Sequence, residues 1–262
     1  MRAAVSGCSF AQKDTMAAAP FLYHKIVLTG ATSGIGLALL KRLHDLGYTL
    51  VAIGRDPNRL EALASQYPDV TFIRCDLTSP TELHELLDEL RRHHADTTLL
   101  INNAGVQYNY QIGTEAEGAG WMTAEIQTNL TAALQLCEAL LPGLRQQPEA
   151  AIVNVTSGLA LSPKRSAPVY CATKAGLRLF TKALRYQLED STVRVVELVL
   201  PLVDTPMTAG RGRGKLSPEA VVDTLLAGLK RGKTEIYPGR AGLFRWIHRI
   251  APEVADRILK NG

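Results

Sequence analysis

The sequence predicts an α/β protein built on a doubly wound parallel sheet, with helices on both faces. Three observations carry that reading. From residue 25 onward, short β-branched runs alternate with longer segments of helical period. The first run leads into glycines spaced G-x-x-x-G-x-G that open a helix. The chain has 262 residues, 46% of them apolar and 21% charged, enough to bury a sizeable core and unlike either a disordered chain or a membrane bundle.

The elements follow in order. Lys25 to Thr29 is a buried strand, and Gly34 to Leu46 a helix with Ile35, Leu39, Leu40 and Leu43 on one face. A strand at Tyr48 to Ile53, a helix at Pro57 to Gln66 and a strand at Val70 to Arg74 come next. The helix from Ser79 to His94 buries Leu83, Leu86, Leu87 and Leu90, and Thr98 to Ile101 is the fourth strand. Gly120 to Arg145 reads as one long helix, Ala151 to Thr156 as a strand, and Pro168 to Asp190 as another long helix. Val193 to Leu200, a helix at Pro218 to Arg231 and a short strand at Thr234 to Tyr237 complete the alternation. Parallel pairing through right-handed crossovers turns this order into a three-layer domain over residues 23–238. No repeat or Pro/Gly linker divides it.

Composition narrows the function classes. A formal charge of +4 is too small to mark a nucleic-acid surface. It is also local: residues 230–262 hold eight Lys/Arg against three acids, leaving the rest near neutral. The four cysteines, at 8, 75, 137 and 171, make neither a C-x-x-C pair nor a metal-ligand spacing. No metal is expected, and a reducing, cytoplasmic location is. Residues 1–22 read as a disordered extension or a start placed too early, with Met16 close to the first strand. Val5-Ser6-Gly7-Cys8 loosely matches a lipoprotein cleavage site, but the apolar stretch before it is too short. No apolar run is long enough for a spanning helix.

Ligands of an open parallel sheet bind beyond the carboxyl ends of its strands. After the first strand, Gly30, Thr32, Ser33, Gly34, Ile35 and Gly36 form a small-residue turn that lets a pyrophosphate reach the N-terminal amides of a helix. The second strand ends without an acid and is followed by Arg55, which suits a ribose 2′-phosphate and favours NADP over NAD, although Asp56 pulls the other way. Asp76 and Leu77 end the third strand, where Asp76 either accepts from an adenine amino group or stands near a helix cap. Asn102, Asn103, Ala104 and Gly105 end the fourth, small enough to lie against a ribose. Ser157 ends the fifth. Tyr170 and Lys174 follow at i and i+4 on one helix face, where an ammonium would lower the phenol pKa and make Tyr170 a proton donor and acceptor.

These motifs, in this order, with Asn129 between them, closely resemble the compact short-chain dehydrogenase/reductase family over residues 23–238. The resemblance implies a Rossmann-type sheet of about seven parallel strands and NAD(P)(H)-dependent interconversion of a carbonyl and an alcohol in a small molecule. It implies Tyr170 as acid/base and Ser157 as the group that polarises the carbonyl. Lys174 would hold the nicotinamide ribose and tune Tyr170, and Asn129 would help hold a relay water. It also implies a homodimer or homotetramer through the helices around 120–145 and 168–190. The family commonly follows strand six with Pro-Gly-x-Val-x-Thr. Here Val203 and Thr205 match, whereas Leu200 and Pro201 replace the Pro and Gly, so the carboxamide contact falls to the Val203 backbone and the Thr205 hydroxyl. This variant is similar to a bacterial branch associated with D-alanylation of teichoic acids.

The glycine-spaced segment Ala209 to Lys215 stands where a substrate lid would be, with Arg211, Arg213 and Lys215 available to an anion or simply solvated. The segment 239–262 carries an amphipathic stretch with Leu243, Trp246, Ile247 and Ile250 opposite Arg245, His248 and Arg249, ended by Pro252. Packing over the pocket or a sister subunit is the expected use of that stripe, and peripheral membrane contact the alternative. Two readings of another class stand beside the reductase: an NADP-binding sensor or scaffold without turnover, and an isomerase or epimerase. The first does not need Ser157, Tyr170 and Lys174; the second lacks a substrate domain after residue 205.

Overall fold

The computed structural model describes residues 23–261. The readings of residues 1–22 lie outside them. The elements are β1 (Lys25–Thr29), α1 (Gly34–Asp45), β2 (Thr49–Gly54), α2 (Pro57–Gln66), β3 (Thr71–Arg74), α3 (Pro80–His93), β4 (Leu99–Asn102), α4 (Gly118–Ile126), α5 (Ala132–Leu144), β5 (Ala150–Ser157), α6 (Pro168–Gln187), β6 (Val193–Leu200), α7 (Pro218–Lys230), β7 (Glu235–Ile236), α8 (Ala241–Ile250) and α9 (Pro252–Leu259). The strands form one seven-stranded sheet in the order β3-β2-β1-β4-β5-β6-β7, every pair parallel.

Side chains of successive strand residues point to opposite faces, so each strand feeds two cores. In β1, Ile26 and Leu28 join Leu39, Leu40 and Leu43 of α1 and Val222, Leu225 and Leu229 of α7. Val27 between them joins the other face, with Leu83, Leu86 and Leu90 of α3 and Leu136 and Leu140 of α5. A one-residue slip of β1 would exchange those sets, and that exchange fixes the register β1 shares with β2 and β4. The order reverses between β1 and β4, which opens a crevice above their carboxyl ends.

Two departures from the expected elements affect the site. The helix expected over 120–145 is interrupted by a π turn, Gln127–Thr131, which holds Asn129; its i→i+5 bonds form with no proline or glycine in the turn to mark the break in the sequence. Pro252 ends α8 but also begins α9, because a proline has no missed hydrogen bond in the first turn of a helix. Of the uses expected for the α8 stripe, packing over the pocket is not what the fold shows. Leu243, Trp246 and Ile250 are exposed, while Ala241 and Phe244 turn inward to the cavity. The salt bridge from Arg245 to Glu235 at 3.0 Å holds α8 in that orientation.

Candidate active site

A cavity of about 690 Å³ occupies the crevice. Its walls include Gly30, Thr32, Ser33, Gly34, Ile35, Gly36, Arg55, Asp76, Leu77, Asn103, Ala104, Gly105, Ser157, Tyr170, Lys174, Val203 and Thr205. Asn129, Asn102 and Lys215, also singled out from the sequence, do not line it.

The floor is built by close approach. Gly30 and Gly34 sit at φ +67° and +52°, in the left-handed region. A Cβ on Gly36 would lie 1.9 Å from the Gly30 oxygen, so α1 seats directly on the turn. Thr29 Oγ1 accepts from the Asn103 and Ala104 amides at 3.0 Å each, and Asn103 Nδ2 donates to the Thr29 carbonyl at 2.9 Å. These bonds clamp the tip of β4 onto the tip of β1. Whereas α2, α3 and α7 are capped by Asp56, Ser79 and Ser217 side chains, α1 has neither a side-chain cap nor an acid in its first turn. Its amides and positive dipole end face the cavity, the arrangement a pyrophosphate requires.

At the β2 tip, Asp56 is committed: it accepts from Asn58 N and Arg59 N at 3.0 and 3.2 Å and pairs with Arg59 at 3.3 Å. Arg55 makes no ion pair among the described residues, and Arg59, which the sequence reading passed over, lines the cavity beside it. Asp76 Oδ1 accepts from Thr78 N and Oγ1 at 3.0 and 2.8 Å. Burial works to raise the Asp76 pKa, but these bonds and the cations Arg55 and Arg74 outweigh it and hold the carboxyl below its ordinary range. The helix cap is Ser79, bonded by Glu82 N at 3.3 Å.

At the other end, Ser157 closes β5 and its Oγ accepts from Leu159 N at 3.1 Å. Tyr170 and Lys174 are buried on α6. Lys174 Nζ donates to the Val155 carbonyl at 2.9 Å and lies 5.8 Å from the centre of the Tyr170 ring. Burial brings the Lys174 ammonium down to about 8. It pushes the Tyr170 phenol up to about 12, against a hydrogen bond from Ser157. The lowering expected from Lys174 is not what this environment gives: burial of the phenol is the largest influence on Tyr170. Asn129 gives both ends of its amide to Val106, Oδ1 accepting from N and Nδ2 donating to O at 2.8 Å each, with Thr173 Oγ1 at 3.3 Å. Its side chain ties the chain after β4 to α6.

Thr205 packs on the glycine turn, 3.0 Å from where a Gly34 Cβ would stand. Beyond it, Gly210, Gly212 and Gly214 take positive φ, and Arg211 and Arg213 border the cavity. Lys215 is drawn away, to the Thr208 carbonyl at 2.7 Å and Asp204 at 3.2 Å. Lys164, Phe244 and Leu259 also reach the cavity. No local motif marks them, because loop and C-terminal packing bring them there. Tyr108, Tyr110 and Trp121 pack on one another instead, with ring centres 5.5 Å apart in both contacts with Trp121.

A glycine cradle and an uncapped helix start, with a half-buried Ser and a buried Tyr and Lys at the same sheet edge, define a dinucleotide-binding α/β protein. Comparison with known proteins agrees: the sequence model described as short chain dehydrogenase matches residues 24–215. The chain is 38% identical over 218 residues to the "Uncharacterized oxidoreductase DltE" of Bacillus subtilis, covering 80% of this chain and 86% of that protein. The structure of a short-chain dehydrogenase from Sphingobium yanoikuyae in complex with NADPH is similar at TM-score 0.77 and 30% identity, over 88% of this chain and 94% of that one. One from Burkholderia cenocepacia in complex with NADP gives TM-score 0.80 at 26% identity, over 92% and 99% of the two chains. The chain belongs to the short-chain dehydrogenase family of oxidoreductases, and its similarity to DltE accords with the bacterial branch that Leu200 to Met207 resembles.

Proposed function

We propose that this protein is an NADP(H)-dependent carbonyl reductase or alcohol dehydrogenase with Ser157, Tyr170 and Lys174 at its catalytic centre. The observation that carries the proposal is the convergence of the three on the cavity that the glycine turn also lines, Lys174 Nζ lying 5.8 Å from the Tyr170 ring centre and Ser157 bonding to the phenol. A nicotinamide cofactor held at the β1 and β4 tips would supply the hydride for the carbonyl carbon. Gly30 to Gly36 and the start of α1 would hold the pyrophosphate, Arg55 and Arg59 the 2′-phosphate, Asp76 the adenine, and Val203 and Thr205 the carboxamide. The two complexes named above, with NADPH and with NADP, support the choice of cofactor.

Tyr170 hands its proton to the carbonyl oxygen, which Ser157 polarises by donating a hydrogen bond to the same atom. With its pKa raised to about 12, the phenol is protonated at neutral pH, the form that reduction consumes. Lys174, held by Val155, places its charge beside the developing phenolate. Exposed Ile126, Leu179 and Tyr186 on α4 and α6 support a homodimer or homotetramer through those helices.

The test is an NADPH-oxidation screen over aldehydes and ketones, run in parallel with NADH. Turnover with NADPH, favoured over NADH, is the expected outcome. NADPH binding with no turnover of any carbonyl would turn the reading to a sensor.

A further inference from the structure

The substrate end of the cavity is strongly cationic. Lys164, in the loop between β5 and α6, and Arg211, in the segment after β6, both line it. Lys164 N donates to Cys171 Sγ at 3.3 Å, one residue after Tyr170, and Arg211 acts electrostatically on Lys164, so the two cations stand together on the Tyr170 side of the cavity. Both are only partly exposed. Among the described residues neither makes an ion pair with an acid. The acids that line the cavity, Asp56 and Asp76, stand at the β2 and β3 tips and are bonded there. Glu125 does not line the cavity; it is buried, accepts from Tyr108 N at 2.9 Å, has its pKa raised by burial, and is the acid that also acts on the Tyr170 phenol.

The loop that carries Lys164 is fixed through its backbone, and Arg211 has a neighbouring side chain that can orient it. The Asn109 amide lies against the Arg211 guanidinium, and turned over about its Cβ–Cγ bond it would accept from Nη2 and Nε at 3.1 and 3.2 Å. The amide that follows Lys164 N, Arg165 N, donates to the Lys260 carbonyl at 3.0 Å. Two like charges in a partly desolvated pocket repel unless an anion lies between them. Carboxylate and phosphate are the groups that a guanidinium and an ammonium bind best.

We propose that the substrate carries an anionic group, a carboxylate or a phosphate, bound by Lys164 and Arg211 while its carbonyl meets Tyr170 and Ser157. This rests on the reductase reading above. Arg213 borders the same region more openly, and Lys215 takes no part.

The test uses the NADP-loaded protein and matched probes: levulinate against methyl levulinate, 4-carboxybenzaldehyde against methyl 4-formylbenzoate, and dihydroxyacetone phosphate against dihydroxyacetone. In the wild type, kcat/KM favours the charged member of at least one pair tenfold or more, and that pair tells carboxylate from phosphate. Lys164→Ala or Arg211→Ala lowers that preference about ten- to hundredfold, mainly through KM, as loss of a charge-assisted hydrogen bond predicts, and Arg211→Lys restores part of it. Equal rates for charged and neutral members, or a preference untouched by the substitutions, overturns the proposal. So does a parallel loss of NADPH affinity, which would assign the cations to the cofactor. If no carbonyl is reduced, the reductase reading fails separately, and calorimetry with levulinate and dihydroxyacetone phosphate decides the anion site. Binding that disappears in the Lys164→Ala/Arg211→Ala double variant sustains it, and no binding overturns it.

Discussion

Lys174 Nζ donates a 2.9 Å hydrogen bond to the carbonyl of Val155, joining the helix that carries Tyr170 to the strand that ends in Ser157. The same burial that makes this bond strong lowers the ammonium to about 8. The charge is therefore present at neutral pH and lost as pH rises through that value. Tyr170, at about 12, does not titrate in this window. The kcat/KM for carbonyl reduction is expected to fall above an apparent pKa near 8. Lys174→Arg, which keeps its charge throughout, should remove that limb at reduced overall rate. A pH–rate profile of the two proteins checks this; an identical alkaline limb in both would assign it elsewhere.

Tyr170→Phe keeps the ring that fills the buried site and deletes only the hydroxyl. A positioned acid contributes about 10²–10⁴-fold to rate, so kcat should fall by that order. NADPH affinity, measured by quenching of protein fluorescence, should stay close to wild type. Unchanged kcat would remove Tyr170 from the proton path.

The legible part of this site lies at strand ends. The glycine turn, Asn103 to Gly105, Ser157 and the Tyr170/Lys174 pair each follow a strand or open a helix, and a parallel sheet delivers all strand tips to one edge. What stayed hidden depends on packing between distant segments. Phe244 and Leu259 reach the cavity because α8 and α9 fold back over it, and the exposure of Trp246 was not readable from its amphipathic spacing. The raised phenol had the same origin: i, i+4 spacing shows that Lys174 is near Tyr170, but not how completely both are removed from water.

Gly36 tests the cradle. A methyl group there would stand 1.9 Å from the Gly30 oxygen and 2.7 Å from Asn103 Nδ2. Gly36→Ala must lift α1 off the turn, and overpacking of this kind costs about 1–3 kcal/mol. Thermal unfolding should drop by about 2–4 °C for each kcal/mol lost, and NADPH affinity should fall with it. Full retention of both would mean that the turn yields freely.

Arg55 tests cofactor choice. Asp56 is occupied by the α2 amides and Arg59, which leaves Arg55 without an ion pair among the described residues and available to a 2′-phosphate. Arg55→Ala should weaken NADPH binding about ten- to hundredfold, the worth of a charge-assisted bond, with a far smaller effect on NADH. Equal losses for both cofactors would show that Arg55 does not read the phosphate.

Glu197 is a carboxylate in the middle of β6, buried beside the wall that carries Ser157. Arg178 of α6 reaches it with Nη1 2.8 and 2.7 Å from its two oxygens, and Thr156 Oγ1 donates to it at 2.6 Å. The pair therefore spans from α6, four residues beyond Lys174, to the strand beside β5. Arg178→Met alone strands a buried charge, and breaking such a pair costs about 3–5 kcal/mol. Replacing both, Arg178→Met with Glu197→Leu, removes the orphaned carboxylate and should recover most of that stability. Denaturant unfolding of the two single variants and the double variant measures the coupling. A double variant no more stable than Arg178→Met would show that the pair is not where the cost arises.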